Sequence, residues 1–173
     1  WRWILYDTDF GFGIWDGNAF SFNTLNFALE ENGPNWPNPP WSTLLFRKII
    51  TNNHFKNRFI SIFSDLLNTT FKPENLTDHL DSIKNTIEDI IPRHHDRWYN
   101  NGWWPNSATN WESRLNNIIN FSQLREGQVW WHLKNTLELD FFAGFTLQIF
   151  PENSGILQFN TCLLYTSPSP RDH

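Results

Sequence analysis

The pattern of apolar positions is typical of a strand at the start of the chain and of a loop after it. Residues 1–7 are aromatic and aliphatic and end at Asp7, which predicts a buried strand with an acidic residue at its end. Glycines and prolines then recur between Asp9 and Pro40, which predicts a long ordered loop. Long loops beside such an acidic residue often carry function.

Helical periodicity replaces this pattern over residues 41–139 and predicts an all-helical region. Asn52 or Asn53 is expected to cap the second helix, and Pro73 suits the first turn of the third. Pro92 is expected to kink or end that third helix. A capping box at Thr109 and Glu112 is expected to start the fourth helix. Each of the five predicted helices has one apolar stripe, and in chain order these are Trp41, Leu44, Leu45 and Ile49; Phe55, Phe59, Ile62, Phe63 and Leu66; Leu76, Leu80, Ile83, Ile87, Ile90 and Ile91; Trp111, Leu115, Ile118 and Ile119; and Val129, Trp130, Leu133 and Leu137.

Alternation with period two returns after Phe142 and predicts a β-hairpin. Its apolar positions are interrupted by a Gly- and Pro-containing turn at residues 151–155. With the strand over residues 1–7, this hairpin places the chain in the α+β class.

Charge and composition narrow the classes of function. The chain of 173 residues has 13 Lys and Arg against 18 Asp and Glu, for a net charge of −5, and no basic block. This balance argues against a nucleic-acid partner. No uncharged apolar run approaches the roughly 18 to 20 residues that span a bilayer, so no membrane span is expected. The 11 Trp and 16 Phe indicate a packed core or a recognition surface.

The strongest candidate for chemistry is the acid pair, Asp7 and Asp9, which precedes the glycines at positions 11 and 13. Two carboxylates at a strand end can hold a hard cation such as Mg²⁺ through oxygen ligands. Acidic residues are also common in turns that have no further role, and the pattern alone does not separate these two interpretations.

Three chemistries use such a pair. A haloacid-dehalogenase-type phosphatase requires continued alternation of strands and helices, and a sugar-nucleotide glycosyltransferase requires neighbouring strands. Both are disfavoured because five predicted helices follow without a strand. Phosphoryl transfer in a kinase-like fold agrees better with the order of elements, since a metal-binding Asp is followed there by a helical lobe.

Several segments of the chain share their order with one family. They are Tyr6-Asp7-Thr8-Asp9-Phe10-Gly11-Phe12-Gly13, Leu44-Leu45-Phe46 before Asn52 and Phe55 to Phe59, Asp65-Leu66-Leu67-Asn68-Thr69-Thr70-Phe71, His94 to Trp98, and helices at Trp111 and Arg125. In this order they resemble the C-terminal part of the CotH kinase family, named for spore coat protein H and comprising atypical protein kinases.

The resemblance implies a fold, cofactors and a substrate. It implies an atypical protein-kinase-like fold in which Asp7 and Asp9 bind Mg²⁺ and ATP, with Asp7 preferred as the principal ligand. Phosphate would pass to Ser or Thr hydroxyls of a protein substrate, in a secreted or surface-exposed bacterial protein. The nucleotide-gripping parts and the general-base Asp would lie before Trp1, so the fragment alone is expected to be inactive.

The same resemblance divides the chain into three parts. Residues 1–140 are expected to form the C-terminal portion of the kinase domain, and residues 141–161 the start of a β-rich domain. Residues 162–173 are expected to be an adapter-derived, non-native tail, because the segment 162–172 resembles a translated sequencing adapter, as expected of a metagenomic fragment. The one cysteine, Cys162, falls in that tail. The oligomeric state is left open.

Other residues allow competing interpretations. His94, His95 and Asp96 with His79 could suggest a metal site, but solvated or capping positions are favoured. Arg97 and Arg125 are expected to stack on an indole or to pair with a helix-end carbonyl. The tryptophan pairs at 103–104 and 130–131 could stack on a sugar. The competing function is therefore a noncatalytic cell-surface module that binds a glycan or a protein on a pseudokinase scaffold.

Overall fold

A computed structural model describes residues 11–13, 16–31, 39–98, 108–144, 150, 156–159 and 162–165. The α-helices are α1 (Thr24–Leu29), α2 (Leu44–Ile49), α3 (Asn53–Asn68), α4 (Pro73–Ile87), α5 (Ile91–Trp98) and α6 (Ala108–Thr136), and the strands are β1 (Ile156–Phe159) and β2 (Cys162–Tyr165). Short 3₁₀ helices form at Gly11–Gly13, Ala19–Ser21 and Glu88–Ile90.

The chain divides into two compact units that each draw on two stretches of sequence. The first unit comprises Trp1–Phe22 and Thr70–Trp130, and the second comprises Asn23–Thr69 and Trp131–His173. Helix α6 therefore begins in the first unit and contributes its last six residues to the second.

Capping side chains and aromatic contacts define the helices of the second unit. The Asn52 side chain accepts a hydrogen bond from the Phe55 amide at 3.1 Å, which confirms the predicted cap of α3. Phe59, on the predicted apolar stripe of α3, lies 5.5 Å from Phe46 of α2 and 5.4 Å from Phe63, centroid to centroid. The stripe therefore packs α3 against α2.

Helix α1 lies inside the segment that was predicted to be a loop between Asp9 and Pro40, so that prediction is wrong over residues 24–29. The Asn23 side chain accepts a hydrogen bond from the Asn26 amide at 2.8 Å and caps the helix. The glycines and prolines lie towards the two ends of this segment, and residues 23–31 contain neither. Residues 23–31 can therefore form a short helix.

Proline positions determine where the helices of the first unit begin and end. Pro73 occupies the first turn of α4, as predicted. Helix α4 ends at Ile87, a 3₁₀ turn follows, and Pro92 lies in the first turn of α5. Pro92 therefore interrupts the helix as expected, because a proline inside a helix lacks the amide hydrogen and clashes with the preceding turn.

The last two predicted helices form the single 29-residue helix α6. The predicted break between Ile119 and Val129 is wrong, since the intervening residues contain no proline and Gly127 alone costs only about 1 kcal/mol in a helix interior. The helix already begins at Ala108, so Thr109 lies inside it instead of capping it.

Where burial is described, the buried apolar side chains belong to the second unit, and they are Ile50, Leu67, Leu133 and Leu137. Leu133 is completely excluded from solvent. Two hydrogen bonds add to this packing: the Lys56 ammonium donates to the Leu137 carbonyl at 2.8 Å, and Asn23 donates to the Thr136 hydroxyl at 3.1 Å. They tie α3 and the start of α1 to the C-terminal end of α6.

The α+β fold class is wrong. In the part of the chain that the structure describes, helices form the architecture, and the strands are limited to the antiparallel ribbon of β1 and β2, which pairs Ile156 with Tyr165 and Phe159 with Cys162. The predicted hairpin had its turn at residues 151–155, whereas the observed reversal follows Phe159. Four-residue strands in a single pair cannot form a sheet layer. The strand predicted over residues 1–7 lies outside the described residues.

Candidate functional site

The predicted acid pair, Asp7 and Asp9, lies outside the residues that the structure describes. The description begins two positions after Asp9, at the 3₁₀ turn Gly11–Gly13. The site is therefore built from this turn, from residues 16–22 and from the face of α6 that they contact, all of which belong to the first unit.

The Gly11–Gly13 turn has a left-handed backbone at two consecutive residues. Phe12 has φ 55° and Gly13 has φ 70°. A left-handed conformation is uncommon for a residue with a side chain, and the Phe12 ring makes an edge contact with Phe121 of α6, at 5.8 Å between centroids and an angle of 71°. The aromatic contact holds the turn against the helix.

The two glycines of this turn have different surroundings. A Cβ atom on Gly13 would lie 3.2 Å from Cδ2 of Phe121, so this position requires a glycine for both its backbone and its close approach to the ring. Gly11 has open space where a Cβ would lie. At Gly13 the close neighbour is therefore the Phe121 side chain.

Residues 16–22 form a second, tightly hydrogen-bonded turn. The Asp16 carboxylate accepts from the Asn18 amide at 2.8 Å, and the Ser21 hydroxyl donates to the Asn18 carbonyl at 2.9 Å. The 3₁₀ helix Ala19–Ser21 lies between these contacts. Asp16 therefore stabilises the local turn, as acidic residues in loops commonly do.

Arg125 of α6 holds the end of this second turn. Its Nη1 atom donates to the carbonyl of Phe20 at 2.7 Å and to the carbonyl of Phe22 at 2.6 Å. Burial lowers the pKa of the Arg125 guanidinium, because desolvation disfavours the charged form. Of the two roles expected for Arg125, stacking on an indole and pairing with a helix-end carbonyl, the structure shows the second, at the end of the 3₁₀ helix Ala19–Ser21.

A pocket of about 360 Å³ lies between the two turns and α6. The loop side is formed by Phe12, Gly13, Gly17 and Phe20, and the helix side by Arg114, Asn117, Asn120, Phe121 and Leu124. Exposed polar side chains at positions 114, 117 and 120 supply a guanidinium and two amides. Sequence reasoning missed this polar row, although its spacing of three residues on one helix was a usable signal.

The arginine, histidine and tryptophan candidates from the sequence are found in different environments. The Arg97 guanidinium lies 5.2 Å from the centroid of the Trp98 ring, which confirms the predicted stacking on an indole. His79 and His94 are exposed, and among the described residues no three His, Cys, Asp or Glu side chains are arranged to hold a metal ion. The pair at 103–104 lies outside the described residues, while the Trp131 side chain is 61% exposed.

The described residues contain no helix with the length and apolar character needed to cross a membrane.

In the second unit, an apolar groove of about 270 Å³ runs along α3 and is lined by Phe55, Arg58, Phe59, Ile62, Phe63 and Leu66. It presents one side-chain charge and no carboxylate, so it is poorly suited to a divalent cation.

A family model described as CotH kinase protein matches residues 1–129. No curated protein and no solved structure matches the chain. The matched range includes the acid pair, the two turns and most of α6.

Proposed function

This chain belongs to the CotH kinase family, and on that premise we propose that it supplies the metal-binding segment of an ATP- and Mg²⁺-dependent protein kinase. The observation that carries the proposal is the family match, which runs through the acid pair and the loop that follows it. Asp7 and Asp9 are proposed as the metal ligands, with Asp7 as the principal one.

The donor set suits the proposed cation. Carboxylate oxygens are the ligands that Mg²⁺ prefers in proteins, and the bound metal supplies neutralisation of the charge on the ATP phosphates. Asp9 either shares the cation or orients Asp7. Both carboxylates are expected to stay ionised near a cation, because the positive charge favours their charged forms.

The proposed reaction moves the γ-phosphoryl group of ATP to a Ser or Thr hydroxyl of a protein substrate. The bond to the ADP oxygen breaks, a bond to the hydroxyl oxygen forms, and a general-base Asp accepts the hydroxyl proton. We propose metal binding as the contribution of the family-matched segment, residues 1–129, to this reaction.

The first test measures metal binding by the 173-residue chain itself. Mn²⁺ serves as a probe for Mg²⁺, since its sharp electron paramagnetic resonance signal disappears when the ion binds a protein. We expect Asp7→Asn to weaken Mn²⁺ binding by roughly 10-fold or more and Asp9→Asn to weaken it less, because each change removes one negative oxygen donor.

Asp16→Asn is the matched control, since it makes the same change in the adjacent turn, where the side chain accepts a hydrogen bond from the Asn18 amide. An unchanged affinity in Asp7→Asn and Asp9→Asn, or equal weakening in Asp16→Asn, would contradict the proposed site.

The second candidate function is a noncatalytic, secreted binding module that displays aromatic side chains. The observation that favours it is the exposure of large rings in the second unit, where Trp41 is 76% and Phe150 82% exposed, and where Trp131 and Phe141 are exposed as well. Exposed rings can stack on sugars or anchor a protein partner. Retention on a glycan column that Trp131→Ala abolishes and Asp7→Asn leaves intact would favour this function over the kinase.

A further inference from the structure

The pocket of about 360 Å³ beside α6 changes in character along its length. On the helix side its lining comprises, in chain order, Arg114, Asn117, Asn120, Phe121 and Leu124. These positions cover about 15 Å of the helix axis. A ligand that lies along α6 in this pocket therefore meets polar groups at one end and apolar side chains at the other.

The loop side completes the apolar end and is held in place. The rings of Phe12 and Phe20 both line the pocket. Phe12 makes an edge contact with Phe121, and Arg125 donates a hydrogen bond to the carbonyl of Phe20. The apolar end is therefore formed before a ligand binds, which lowers the entropic cost of binding.

The polar end carries hydrogen-bonding groups that the protein itself leaves unused. Arg114, Asn117 and Asn120 are exposed and make no hydrogen bond or ion pair with another residue that the structure describes. Exposed asparagines elsewhere on the helices donate to the carbonyl four positions earlier, as Asn68 and Asn135 do at 3.0 and 2.7 Å. The groups at the polar end are therefore free for a ligand.

Charge and length together favour one class of ligand. Among the described residues that line the pocket, Arg114 carries the only charge, and a guanidinium pairs well with a carboxylate. Each carboxamide can both donate and accept, which suits the N–H and C=O groups of an extended peptide. An extended chain rises about 3.4 Å per residue, so side chains four positions apart share a face and lie about 14 Å from each other.

We propose that the pocket binds an extended segment of a partner protein. An acidic side chain of the segment pairs with Arg114, and an apolar side chain four positions away packs among the rings at the other end. A neutral sugar would leave the guanidinium without a counter-charge, so the charge favours the peptide. This inference goes beyond the proposed function, because it involves neither the cation nor ATP.

The test is a titration of the 173-residue chain, followed by nuclear magnetic resonance in the absence of divalent cations. The probes are the capped peptide acetyl-Glu-Thr-Ser-Thr-Leu-amide and its reversed sequence. At least one of them should shift the amide signals of Gly13, Gly17 and residues 114–124. Replacing Glu by Gln in that peptide should weaken binding about 5-fold, as for an exposed ion pair. Replacing Leu by Ala should weaken it about 10-fold.

The variant Arg114→Gln identifies the partner of the acidic side chain. It should weaken binding of the Glu peptide about 5-fold and leave binding of the Gln peptide unchanged, because that peptide has no ion pair to lose. Arg93→Gln is the control, since Arg93 is exposed in the same unit and lies outside the pocket.

Equal losses in Arg114→Gln and Arg93→Gln would overturn the inference, as would signal shifts outside the pocket alone. Shifts of the pocket signals by maltose but by neither peptide would overturn it in favour of a sugar. If Arg114→Gln does not fold, the peptides decide on the wild-type chain: equal affinities for the Glu and Gln peptides overturn the inference.

Discussion

At the scale of single residues, the loop after the acid pair depends on two backbone positions that most amino acids avoid. Phe12 and Gly13 are both left-handed, and the Phe121 ring lies against both of them. The glycine is required by its own conformation and by the ring, so its absence should be measurable in the stability of the first unit.

Gly13→Ala should lower the free energy of unfolding by about 1–2 kcal/mol, the cost of a left-handed conformation for a residue with a Cβ, with crowding against Phe121 added to it. Gly127→Ala is the matched control, because Gly127 lies in the interior of α6 with open space at the Cβ position. There the same substitution should raise the free energy of unfolding by about 1 kcal/mol. Urea unfolding measures the free energy of unfolding of both variants. If the two substitutions change it by the same amount, a side chain at position 13 does not strain the backbone.

Contacts between neighbours in the sequence could be predicted, whereas the partners in contacts between distant segments could not. The indole next to Arg97 and the cap at Asn52 involve neighbours in the sequence, so the pattern was sufficient. The contact of Gly13 with Phe121 joins positions more than 100 residues apart. A single sequence does not show which of its distant residues come into contact.

At the scale of elements, the caps and prolines of the helices determine where they begin and end. Helix α3 has the clearest N-terminal signal, because Asn52 both precedes it and accepts the Phe55 amide. The longest helix shows the opposite case: its interior carries Gly127, which weakens a helix without ending it, so the predicted break did not occur.

Asn52→Ala should destabilise the second unit by about 1 kcal/mol, since the Phe55 amide loses its acceptor. Asn57→Ala tests the same substitution at an exposed position in the middle of α3, where alanine favours the helix. Circular dichroism during thermal unfolding measures the two midpoints. A drop of the same size in both variants would mean that the cap contributes nothing.

At the scale of the whole molecule, helical periodicity identified most of the described architecture, whereas the alternating pattern placed the hairpin wrongly. The stripes over residues 41–139 recur over many turns, and helices form along them, although the last two predicted helices are one helix. The hairpin was predicted from only a few alternating apolar positions, and so short an alternation can arise by chance. The ribbon that forms uses residues after that turn, and the α+β class was wrong for this reason.

Among the described residues of the second unit few apolar side chains are fully buried, so each should contribute strongly to stability. Leu133→Ala should cost about 2–5 kcal/mol, because the side chain is fully buried and its removal leaves a cavity. Leu124→Ala, on the same helix at 52% exposure, should cost less than about 1 kcal/mol. Urea unfolding of both variants compares them, and similar losses would contradict the assignment of Leu133 to the core.

The division of the chain into interleaved units has a consequence for its synthesis on the ribosome. Within the second unit residues 23–69 emerge first, yet Leu133 and Leu137, which belong to its buried core, follow roughly sixty residues later. At the usual rates of translation the early segment waits about 3 to 12 s with its apolar surface uncovered. A nascent chain of this kind is a natural client for a holding chaperone, and slow translation would lengthen its exposure to aggregation.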